Sequence, residues 1–109
     1  MAMKTVLFGL MAACVSTSAF ADDVGAEWKL EGTNFNPPIL IVEAKSSFTL
    51  KFSNANPAPA ELECKGLKIE KPVVAGGSIL VRVLNPKPGV YDCVDEPHED
   101  VAKGQIEIK

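Results

Sequence analysis

The sequence of 109 residues holds one histidine, one tryptophan and one tyrosine, and its 11 basic residues are outnumbered by 14 acidic ones. Each shortage excludes something. A lone imidazole, His98, cannot build a multi-histidine zinc site. Without a basic excess there is no electrostatic footprint of a nucleic-acid binder. A bilayer-crossing helix needs about 20 apolar residues, and the one long apolar run, Thr5–Val15, is far shorter. Segments of helical period are missing too. A chain this short has no room for both a Ser-His-Asp triad and a substrate cleft, so an enzyme is not expected.

What is present begins with Met1–Ala21, which reads as a cleaved secretory signal. Lys4 gives a positive start, Thr5–Val15 is almost wholly apolar, and Ala19-Phe20-Ala21 has the small-x-small form of a cleavage site. Met11-Ala12-Ala13-Cys14 offers a second reading, a lipidated Cys14, although Met11 stands where leucine is usual. Release after Ala21 is the favoured expectation. It leaves Asp22–Lys109 as one periplasmic or secreted domain without methionine and with two cysteines, Cys64 and Cys93.

That domain is written in short runs of Val, Ile, Leu and Phe broken by Pro, Gly and Asn, the pattern of an antiparallel all-β sandwich or barrel. About seven strands are expected: Glu27–Glu31, Ile39–Glu43, Phe48–Asn54, Glu61–Lys65, Ser78–Leu84, Val90–Val94 and Gln105–Lys109. Alternation puts Phe48, Leu50 and Phe52 on one face, and it recurs in Ile79–Val83 and Gln105–Lys109. Gly76-Gly77 and Pro86-Lys87-Pro88-Gly89 read as turns. Asn54–Ala60, with two prolines, cannot be a central strand.

The cysteines lie on core faces by the same alternation, Cys64 with Leu62 and Cys93 with Tyr91. An even count in an oxidising compartment favours a Cys64–Cys93 disulfide. A metal thiolate or a reducible pair are the sharper alternatives. Around Pro97-His98 crowd Asp92, Asp95, Glu96, Glu99 and Asp100. Carboxylates with one imidazole suit Mn(II), iron, Zn(II) or Cu(II). The plainer reading is a solvated acidic loop with a surface histidine, and Glu61 and Glu63 likewise read as outward carboxylates on a strand.

Asn34-Phe35-Asn36-Pro37, Ile39–Phe52, Asn54, Gly89-Val90-Tyr91, Pro97-His98 and Gly104 with a terminal strand together resemble a cupredoxin, over nearly all of Asp22–Lys109. The resemblance implies a Greek-key β-sandwich with a metal site at one end. Glu61-Leu62-Glu63, Leu67–Lys71, Gly76-Gly77-Ser78 and Pro86–Tyr91 are similar, more narrowly, to the periplasmic cupredoxin-like subgroup that accompanies high-affinity iron permeases. Type 1 copper does not carry over. That site takes two imidazoles, a thiolate and an axial methionine. Here Ala60 stands at the first histidine, Asp95 at the thiolate and Lys103 at the methionine, and only His98 matches. Cys93 and Cys64 correspond to core positions of the family, which fits the disulfide.

The resemblance therefore implies a carboxylate-rich site of His98, Asp95, Glu96 and Glu61, binding an iron or copper ion of Cu(II) rather than Cu(I) character. Its implied partners are an inner-membrane iron permease or a companion periplasmic metal protein. The alternative is a metal-free interaction domain that kept the sandwich and lost the site. A ferroxidase acting alone is the least supported reading.

Overall fold

A computed structural model describes residues 24–43 and 46–109. The segment Met1–Ala21 read as a secretory signal, the expected cleavage after Ala21 and Cys14 lie outside the described residues. Among the described residues eight strands form: β1 (Val24–Glu31), β2 (Asn34–Val42), β3 (Phe48–Asn54), β4 (Ala60–Cys64), β5 (Ile69–Val73), β6 (Ser78–Val83), β7 (Gly89–Asp95) and β8 (Lys103–Ile108). They pair in the order β5-β4-β7-β8-β2-β1-β3-β6. Pairs β1–β3 and β2–β8 are parallel and the others antiparallel. The sheet folds on itself as the expected all-β sandwich.

The alternation holds where it was read. Phe48, Leu50 and Phe52 are buried, as are Val81, Val83, Ile106 and Ile108, while Leu80 between them in pattern faces out. Two departures have physical causes. β5 was not foreseen because its middle reads Glu70-Lys71-Pro72. As an edge strand bonded only to β4, it tolerates a proline that a central strand would not. β2 starts at Asn34, not Ile39. Asn34–Asn36 pair with β1, and β8 pairs with Asn34 and then, after a register shift, with Ile39–Val42; Pro37-Pro38 fall in the shift, where the missing N–H groups cost no ladder bond.

At the head of the core, Trp28, Phe35 and Phe52 pack with ring centroids 4.7–6.0 Å apart, within the range of favourable tilted and edge contacts. The Trp28 indole N–H donates to the Pro37 carbonyl at 2.6 Å. β8 passes close under this cluster through Gly104, where a Cβ would lie 2.7–2.8 Å from Phe35 and Trp28. Asn54, buried at the end of β3, ties the loop of residues 55–59 down. Its side-chain amide donates to the carbonyl of Ala58 and reaches those of Val73 and Val74, and its oxygen accepts the Asn56 N–H. That loop, the β7–β8 connection and the β1–β2 and β5–β6 turns therefore gather at one end of the sandwich.

Candidate metal centre

The candidate residues sit where β4 begins and β7 ends. The two strands run antiparallel, with Leu62 opposite Asp95 and Glu63 opposite Val94. Continuing that register puts Cys64 opposite Cys93, and the two are joined in a disulfide with Cα atoms 4.3 Å apart. Both are buried. The bond removes both thiols from metal chemistry and fixes the strands that carry the site.

Tyr91, Cys93 and Asp95 share the inner face of β7, so Asp95 points inward at the rim of the core and is only 3% exposed. An ionised carboxylate so placed is costly unless its oxygens are satisfied, and both are. Asp95 Oδ1 accepts the Glu61 main-chain N–H at 3.0 Å, and Oδ2 lies 3.2 Å from His98 Nδ1. The Glu96–His98 segment makes one turn of 3-10 helix, with Pro97 where no N–H is required. The Asp95 N–H donates to the Ala102 carbonyl, and the His98 carbonyl accepts from Val101 and Ala102. The connection from Asp95 to Ala102 is thus a closed hydrogen-bonded loop. It carries His98 with its side chain 58% exposed.

Glu61 enters by its main chain; its carboxylate points elsewhere. It lies diagonally across the β4–β5 ladder from Glu70. Partial burial, then the charges of Glu70, Glu96 and Glu63, push its pKa up from the ordinary carboxylate value. The structure therefore brings His98 and Asp95 into contact, brings the Glu61 backbone to Asp95, and leaves Glu96 within electrostatic reach of Glu61. Asp92 is turned away and accepts from Gln105 Nε2. Among the described residues no three His, Cys, Asp or Glu side chains converge tightly enough to enclose an ion. Glu70 was missed by the sequence reading because its strand was missed.

The donor set does not suit type 1 copper. The sulfur atoms are spent in the disulfide, the position implied for the first imidazole is the buried methyl of Ala60, and Asp95 offers a hard oxygen in place of a soft thiolate.

A family model described as a cupredoxin-like domain matches residues 4–108. No significant match is found among curated protein sequences. Solved structures share the fold at low identity. The purple cupredoxin of Nitrosopumilus maritimus is 16% identical, with a TM-score of 0.63 over 77% of this chain and 99% of its own. Auracyanin A, a blue copper protein of Chloroflexus aurantiacus, is 15% identical, with a TM-score of 0.61 over 76% and 96%. The metal-binding domain of the Cu(I)-exporting ATPase CopA of Streptococcus pneumoniae is 15% identical, with a TM-score of 0.59 over 78% and 87%.

Proposed function

The chain belongs to the cupredoxin-like domain family, and from that premise we propose that it is a periplasmic protein that binds iron or Cu(II) at the His98 end of the sandwich and assists iron uptake through an inner-membrane permease. The observation that carries this reading is the His98–Asp95 pair: an exposed imidazole backed by a buried carboxylate, at the end where the resemblance implies a metal. Glu96 and Glu61 add negative charge to this end of the sandwich without closing on the pair as a third donor. Nitrogen and oxygen donors favour iron or Cu(II) over Cu(I), unlike the Cu(I)-loaded domain that shares the fold. The permease, or a companion periplasmic metal protein, is drawn from the resemblance of Glu61–Glu63, Leu67–Lys71 and Pro86–Tyr91 to the iron-permease-associated subgroup. The acidic end gives such a partner a cation-attracting face.

The test is native mass spectrometry of the oxidised chain titrated with Fe(II), Cu(II) and Zn(II), beside His98→Ala, together with growth of a deletion strain under iron limitation. One ion per chain in the wild type, lost in His98→Ala, with growth rescued only by the wild type, supports the reading. A second reading, a metal-free interaction domain, is favoured by the absence of three converging donors among the described residues. Equal, weak uptake of every ion by both proteins, with growth rescued by both, establishes it instead.

A further inference from the structure

We propose that the outer face of β2, β8 and β7 docks a second copy of this chain in a two-fold dimer. The inference goes beyond the metal-binding reading and holds whether or not the His98 end takes an ion. Seven large apolar side chains are exposed among the described residues, and three of them, Ile39 (48%), Ile41 (56%) and Val90 (58%), lie on this one face. The other four are scattered. Leu80 stands on β6 opposite Lys51, and Val74, Leu84 and Val101 sit in three different connections.

Strand pairing fixes the layout of the face, because directly paired residues point to the same side. Ile39, Gln105 and Asp92 form a middle row. Ile41, Glu107 and Val90 form the row on one side of it, and Lys103 and Val94 the row on the other. Asp92 is already satisfied by Gln105 Nε2. Lys103 and Glu107 are not: among the described residues neither takes part in an ion pair. Four residues along a strand, about 13 Å, keep them from each other.

A two-fold axis along the middle row supplies both with partners. It crosses the strands, so each strand lies over its own copy with its direction reversed. Lys103 then faces the partner's Glu107, and Glu107 faces the partner's Lys103. Val90 packs over the partner's Val94, and Ile39 over the partner's Ile39. Ile41 falls over a groove of about 560 Å³ that includes Pro38, Ile39 and Lys103 in its lining. The contact is isologous, as a closed dimer requires. Asp92 meets the partner's Asp92, one like-charge contact against two opposite ones. A face of mixed charge with apolar flanks matches itself better than it matches a partner of one sign. Three rows on three strands cover on the order of a few hundred Å² per copy, the low end for specific interfaces, so the dimer is weak and reversible. Because the strands reverse across the axis, the two His98 ends point in opposite directions and both stay open.

Amide NMR of the labelled, disulfide-bonded chain, diluted from about 1 mM to about 20 μM beside sedimentation equilibrium, covers the affinity range of such a contact. Concentration-dependent shifts are expected at Ile39, Ile41, Val90, Val94, Lys103 and Glu107, with a mass rising toward two chains. Lys103→Glu sets like charges on both sides of the axis and should weaken association by at least about tenfold. Lys103→Glu combined with Glu107→Lys exchanges the signs and should restore it. The amide spectra confirm that both variants are folded. A chain of monomer mass throughout overturns the proposal and leaves the face to a different protein. Shifts confined to another surface, undiminished association of Lys103→Glu, or no recovery in the folded double variant overturn it as well.

Discussion

Cys64 and Cys93 join β4 to β7 inside the core, whereas a step along the same two strands Glu61 and Asp95 join them at the rim. The inner link is covalent, apolar and sealed from water. The outer link is a main-chain N–H on a buried carboxylate whose second oxygen reaches an exposed imidazole. The inner link holds the strands in register whatever the pH or salt. The outer link is polar and opens to solvent through His98, and the register does not depend on it. One pair of strands thus carries a sealed covalent link and an open polar one.

The comparison breaks most visibly at the disulfide. Replacing both cysteines by alanine opens a loop with a sequence separation of 29 and should lower unfolding free energy by about 3–4 kcal/mol. Urea denaturation measures it, and a loss under about 1 kcal/mol would show that the covalent link is not what holds β4 to β7. Asp95→Ala should cost less, about 1–3 kcal/mol, because it leaves the Glu61 N–H without its acceptor at a closed site. If Asp95→Ala costs as much as losing the disulfide, the division between the two links is wrong. His98→Ala should change stability by no more than about 0.5 kcal/mol, as expected for an exposed side chain. A large loss there would make His98 a structural residue.

The smallest effect concerns the acidic face. Glu61 has its pKa raised by partial burial and then by Glu70, Glu96 and Glu63. The folded chain therefore holds that proton more tightly than the unfolded one. The contribution favours folding below the ordinary carboxylate range and is lost as pH rises through the raised value. Glu70→Gln removes the largest of the charge effects. It should raise the thermal midpoint slightly at neutral pH, and the gain should shrink both in acid and in high salt. A gain that grows on acidification would contradict the assignment.

Much of this was readable from residue order. The period of two in Phe48–Phe52 and Gln105–Lys109 gave inward faces, and the same rule placed Cys64 and Cys93 where they meet. It also contained the burial of Asp95, two residues beyond Cys93 on the same face. An aspartate in an acidic run reads as solvated, however, and that signal is weak until the Glu61 N–H is seen opposite it. Long-range pairing supplies the rest. β5 hides behind Glu70-Lys71-Pro72 because edge strands need only one bonded side, and without β5 neither Glu70 nor its effect on Glu61 is visible. The division of β2 between two partners was hidden by the same habit of reading prolines as ends.

The most direct measurement is the electron paramagnetic resonance and visible spectrum of the Cu(II)-loaded oxidised chain beside His98→Ala. The account predicts a copper signal with hyperfine coupling to one imidazole nitrogen, no thiolate charge-transfer band, and loss of that signal in His98→Ala. A blue thiolate band, or a copper signal unchanged by His98→Ala, would contradict it.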